Sequence, residues 1–147
     1  MKVYLDACCL NRLTDDQSQR RIREEAAAVE RILQRMYDHE VQWISSEALV
    51  NEINRNPQPE RRLENAALLS LANETIKVDR TTARRAKDLE AAGYGAFDAL
   101  HLACAETAQV DALLTTDDGF VRKASRGDGN PAVPVCNPVS WNKGDFQ

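Results

Sequence analysis

Short apolar runs alternate with helix-like segments along the whole chain, and this alternation restricts the fold more than any other feature. Residues 2–5 (KVYL) read as a strand. Over 17–39, Ile22, Ala26, Val29, Leu33 and Met36 recur at helical spacing, with Asp15 or Asp16 placed to cap the helix. A second strand spans 41–44. Ser45 or Ser46 then caps a helix reaching about residue 55, with Glu47 favourably placed in its first turn. Asn56-Pro57-Gln58-Pro59 breaks the pattern before a helix over 60–72 and a strand over 75–78. The next helix, 81–92, stops at Gly93 in a left-handed cap. In FDALHLACAETA, Phe97, Leu100, His101, Cys104, Ala105 and Ala108 mark a further amphipathic helix. A strand over 112–115, a short helix over 119–125, the loop SRGDGNP, a strand over 133–136 and a polar tail complete the chain. Strands alternating with helices predict an α/β fold: a three-layer αβα sandwich around a mainly parallel sheet of four or five short strands.

At 147 residues the chain is expected to form one domain, 1–147, and a chain of this length buries roughly 68–70% of its unfolded surface without staples. No apolar run approaches membrane-span length, and no basic segment followed by an apolar stretch opens the chain, so a cytoplasmic location is expected. The net charge of −4 argues against a general nucleic-acid binder. The arginines nevertheless cluster at 20, 21 and 23, at 31 and 35, at 61 and 62, and at 80, 84 and 85. Such clusters suit solvated helix faces or a local basic surface. Of the four cysteines (Cys8, Cys9, Cys104, Cys136), none forms a C-x-x-C pair, so zinc spacing is absent. All four are expected to be reduced, packed thiols.

The acids fall where an open parallel sheet binds ligands, beyond the carboxyl ends of its strands. Asp6 follows the first strand, Asp117 the fourth, and Glu47 and Glu52 lie on the helix leaving the second. Asp98 opens the FDALH helix among apolar neighbours, with no lysine or arginine nearby on that helix. A carboxylate there requires a cation partner, a proton or a metal. Clustered carboxylates repel one another, and a divalent cation removes that cost. All-oxygen ligation favours Mg²⁺ or Mn²⁺ over zinc. Each acid also has a structural alternative as a helix cap or a surface group.

Four stretches, VYLDACCLNRL, SEALVNEI, FDALHLACAE and LLTTDDGF, resemble the PIN-domain ribonucleases, which include the VapC-type toxins, over nearly the whole chain. The matching positions are Asp6, Ser46 with Glu52 six residues later, Asp98, and Thr115 with Asp117. That spacing selects Glu52 over Glu47 and Asp117 over Asp118. Asp118 remains a supporting or capping group, with Ser46 and Thr115 as supports. The chain departs from the family in carrying Ala7 and Cys8 where a hydroxyl and a small polar residue are usual, and Asn11 offers a polar substitute.

The resemblance implies an Mg²⁺- or Mn²⁺-dependent endoribonuclease, with Asp6, Glu52, Asp98 and Asp117 as metal ligands and catalytic residues. It also implies an RNA substrate, an antitoxin partner and a homodimer. Arg12 is a candidate for RNA phosphates, and His101 reads as a core histidine before a proton shuttle. Two rivals stand beside this reading. A haloacid-dehalogenase-type phosphatase would need D-x-D where the chain has Asp6-Ala7-Cys8. A non-catalytic PIN-like binding module gains little from clustered acids. A nucleotide-binding reading fails for want of G-x-G-x-x-G or a P-loop.

Overall fold

The first strand of the chain lies at the centre of the sheet. The computed structural model describes residues 1–144. The end of the polar tail and of the expected domain, 145–147, lies outside the described residues. Five strands, β1 (Lys2–Leu5), β2 (Gln42–Ser46), β3 (Glu74–Ile76), β4 (Ala112–Leu114) and β5 (Val135–Cys136), form one sheet in the order β3-β2-β1-β4-β5. Every pairing is parallel. Helices flank the sheet: α1 (Ala7–Asn11), α2 (Arg20–Tyr37), α3 (Glu47–Asn54), α4 (Pro59–Leu69), α5 (Arg80–Ala91), α6 (Ala96–Ala108), α7 (Asp118–Ser125) and α8 (Pro138–Lys143).

Consecutive residues Val3, Tyr4 and Leu5 are all buried, as are Ala112, Leu113 and Leu114. Burial on both strand faces is why these runs are continuously apolar rather than alternating. The direction of chain growth reverses at β1: β2 and β3 add on one side, β4 and β5 on the other. The carboxyl ends of β1 and β4 therefore flank a topological switch point, the crevice where open α/β sheets bind ligands.

Most expected elements are present with boundaries shifted by a few residues, and two readings need correction. Helix α2 begins at Arg20 after Gln19, with no side-chain cap. Asp15 is held instead by Arg12 and Arg61, and Asp16 closes a turn by accepting from the Ser18 N–H at 2.9 Å. The tail is not uniformly polar. Asn137 caps α8 through the Val139 N–H at 2.8 Å, and Trp141 is buried with Arg35 over its ring at 5.2 Å. A helix this short carries too few turns for a periodic signal. The expected stop of α5 is present, since Gly93 takes φ +114° just after the C-cap residue Ala92.

Candidate metal centre

Asp6 leaves β1 at the switch point and is 5% exposed. It caps α1, its Oδ1 accepting from the Ala7 N–H at 2.7 Å. Its Oδ2 accepts from the Thr115 hydroxyl at 2.8 Å and the Cys8 thiol at 3.4 Å. Parallel pairing of β1 with β4 brings Thr115 to Asp6, because Leu5 stands opposite Leu114. The Thr115 hydroxyl also accepts from the Asp117 N–H at 3.2 Å. Asp117 is exposed and caps α7, accepting from the Gly119 and Phe120 N–H groups at 2.9 and 3.2 Å.

The second acid arrives from β2. Ser46 ends that strand and caps α3, its Oγ accepting from the Leu49 N–H at 3.1 Å. Two turns on, Glu52 reaches His101, with Oε1 3.1 Å from the imidazole Nε2. Glu47 is engaged elsewhere, accepting from the Val78 N–H at 3.0 Å.

His101, fully buried on α6, also has its Nε2 3.6 Å from Asp6 Oδ1. On the far side of the ring, Nδ1 meets the Tyr4 hydroxyl at 2.6 Å, and that hydroxyl meets Ser46 Oγ at 2.6 Å. Burial lowers the imidazole pKa, but the Glu52 hydrogen bond and the charges of Asp6, Glu52 and Asp98 outweigh it. The net displacement is upward. Asp6, Glu52 and His101 each present a ligand atom, all within 4.8 Å of one another.

Asp98 sits half-buried in the first turn of α6. Burial, followed by the charges of Asp6 and Asp117, pushes its carboxyl up to about 6, with His101 opposing. Among the described residues no lysine or arginine forms an ion pair with Asp6, Glu52, Asp98 or Asp117. The donor set therefore fits a divalent cation: the acids carry excess negative charge, and removing it lowers the cost of keeping them ionised together.

Several expected residues have other placements. His101, read from the sequence as a core histidine, is buried yet hydrogen-bonds Glu52 and approaches Asp6. Its place one turn after Asp98 was the available signal. Cys8, expected to pack, is half-buried and hydrogen-bonds the Asp6–Thr115 pair, its thiol standing where a small polar residue is usual. The remaining cysteines are buried and free. Arg12 is engaged by Glu25 and Asp15, each at 2.8 Å. Asn11 accepts from Asn65 on α4 at 2.8 Å rather than supporting Asp6. Asp118 points outward to Arg21, which grips both carboxylate oxygens at 2.8 Å.

Ser46→Ala removes a helix cap and takes a hydrogen-bond partner from the buried Tyr4 hydroxyl. It is expected to lower unfolding stability by about 2 kcal/mol. Urea denaturation of the metal-free protein reads this directly, and an unchanged midpoint would contradict it.

An all-parallel sheet with acids gathered over its switch point defines a class of α/β domain with a candidate metal centre. The chain belongs to the PIN-domain family, whose profile matches residues 3–125. No sequence match was found among curated proteins. Solved structures share the fold at low identity. FitAcB from Neisseria gonorrhoeae is 17% identical with a TM-score of 0.61, covering 92% of this chain and 97% of that one. VapBC2 from Rickettsia felis, solved bound to a DNA fragment from its promoter, gives 14%, 0.64, 93% and 98%. The sarcin–ricin loop cleaving toxin VapC20 from Mycobacterium tuberculosis gives 14%, 0.58, 87% and 97%.

Proposed function

We propose that this single-domain chain is a divalent-metal-dependent endoribonuclease of the VapC type, acting in the cytoplasm as the toxin of a toxin–antitoxin pair. The observation that carries the reading is the gathering of Asp6 and Glu52 at the switch point of a PIN fold, with Asp98 near enough to feel the charge of Asp6 and, among the described residues, no lysine or arginine in an ion pair with any of the three. Asp6, Glu52, Asp98 and Asp117 hold the cation, Mg²⁺ or Mn²⁺. When bound, it supplies Lewis acidity toward a phosphodiester and lowers the pKa of water.

The chain's own residues prepare that site. The Ala7 N–H, the Thr115 hydroxyl and the Cys8 thiol fix both oxygens of Asp6. His101 Nε2 holds Glu52 toward Asp6, and Ser46 and Tyr4 hold His101 from behind. Asp117, tied to Thr115 and to the start of α7, brings negative charge to the same edge. With no side-chain nucleophile required, the protein's contribution is positioning and charge. The structural neighbours FitAcB and VapBC2 support an antitoxin partner, and a homodimer accords with the same reading.

Incubating a mixed pool of end-labelled RNAs with Mn²⁺, Mg²⁺ or EDTA tests this function. Cuts are expected with a divalent cation and none with EDTA. Cleavage that survives EDTA would overturn the metal-dependent reading. Asp118→Asn is expected to leave the cleavage rate within about twofold, because Asp118 forms an exposed pair directed away from the acids. A large loss in the same assay would instead place Asp118 among the working residues.

A further inference from the structure

We infer that His101 Nε2 is a direct ligand of the cation, completing a mixed nitrogen–oxygen set with Asp6 and Glu52 that selects Mn²⁺ over Mg²⁺. The inference rests on the metal-site reading above and adds a nitrogen donor to its carboxylate ligands.

Nε2 stands 3.1 Å from Glu52 Oε1 and 3.6 Å from Asp6 Oδ1. Neighbouring ligands around an octahedral ion with bonds of about 2.1 Å lie roughly 3.0 Å apart, close to these two separations, and all three ligand atoms lie within 4.8 Å of one another. A ligating imidazole requires a hydrogen-bond partner on its other nitrogen to set tautomer and ring orientation. His101 has that partner in the Tyr4 hydroxyl at 2.6 Å, which is itself bonded to Ser46. Nε2 faces two carboxylates, which accept, so in the neutral metal-free ring the proton sits on Nε2 toward Glu52 and Nδ1 accepts from Tyr4. With a cation at Nε2 the roles along this chain reverse: Nδ1 donates to Tyr4, and Tyr4 donates to Ser46. Both arrangements use the same heavy-atom contacts, so the ring can switch roles without moving.

The imidazole is fully buried and faces the acids from the helix that carries Asp98. Imidazole nitrogen binds first-row transition ions well, whereas Mg²⁺ prefers oxygen ligands and retains water. A site with this nitrogen at its centre discriminates between the two ions. An all-carboxylate site does so less.

The test is pulsed electron paramagnetic resonance of the Mn²⁺-loaded full chain, with calorimetric titration of Mn²⁺ and Mg²⁺. The chain has two histidines, and His39 lies exposed at the turn after α2, so an imidazole ¹⁴N coupling assigns the ligand. The wild-type chain should show that coupling and favour Mn²⁺ by at least about tenfold. In His101→Gln the coupling should vanish and the preference should narrow to within about threefold. Tyr4→Phe should retain the coupling but bind Mn²⁺ roughly 10-fold more weakly, through loss of the ring's support. If His101→Gln fails to fold, the wild-type spectrum and Tyr4→Phe decide the matter. Mn²⁺ bound without imidazole coupling overturns this inference and leaves the metal site standing. No Mn²⁺ binding by the wild-type chain overturns both.

Discussion

Asp98→Asn is expected to abolish RNA cleavage and to make the metal-free protein more stable. The amide is nearly isosteric but carries no charge to hold the cation. Losing a group that merely supports a metal ligand costs 10–100-fold, so losing a ligating carboxylate should lower cleavage by at least about 100-fold. The stability gain follows from linkage. The Asp98 carboxyl titrates at about 6 in the folded chain, above its ordinary value of 3.8. Between those values the folded chain keeps a proton that the unfolded chain has released, so wild-type stability falls as pH rises from about 4 to about 6 and stays lower above it. The group is half-buried, and solvent screening limits the penalty to about 1 kcal/mol. At pH 7.5 in EDTA the variant should melt roughly 2–4 °C above wild type. The gap should shrink as pH is lowered from 6 to 4. Melting curves across that range, paired with the cleavage assay, check both halves. Full activity in the variant, or no stabilisation at pH 7.5, would remove Asp98 from the charge cluster.

Arg12→Ala is expected to cost about 3 kcal/mol of folding stability, lowering the melting temperature of a chain this size by roughly 6–12 °C. The reason is Glu25, which is 2% exposed on α2. Arg12 Nε binds its Oε1 at 2.8 Å, while Arg21 approaches Oε2 at 3.4 Å and Asn137 donates to Oε2 at 2.5 Å. Without Arg12 the buried carboxylate keeps one distant cation and one amide, and a buried charge deprived of its main partner is strongly destabilising. The same change takes from Asp15 one of the two arginines that hold it, leaving Arg61. Glu25 ties α1 to α2 and to the turn before α8, so the loss spreads over three elements. Arg12→Lys should recover only part of it, because an ammonium cannot reach both carboxylates in the fork geometry of a guanidinium. Thermal melts of both variants provide the check. A stable Arg12→Ala protein with weakened RNA binding would instead favour the phosphate-contact role that the sequence position suggests.

The sheet was readable from sequence because parallel strands buried on both faces leave short, continuous apolar runs. KVYL and the run around Leu113 are of that kind. The helices were readable from periodicity and caps, and Ser46 does cap α3 as its position implied. Asp6 at a strand exit and Glu52 six residues beyond Ser46 were visible as candidates for the same reason: strand ends and helix starts have local signatures.

Partnerships across the fold were not readable. Helical spacing shows that His101 shares a face with buried residues but says nothing of Glu52, 49 positions earlier, or of Tyr4, 97 positions earlier. The sequence position of Arg12 suggested RNA, whereas the packing of α1 on α2 directs it to Glu25. Cys8 reads as a packing thiol until β4 is laid beside β1, bringing Thr115 within 3.3 Å. The sequence by itself determined the strands, the helices and the order in which the acids leave them, because those properties depend on neighbours a few residues apart. The tertiary structure alone decided which acids share one histidine and which arginine is committed to a buried carboxylate. Such contacts depend on strand order and helix packing, which bring distant parts of the chain within hydrogen-bond reach.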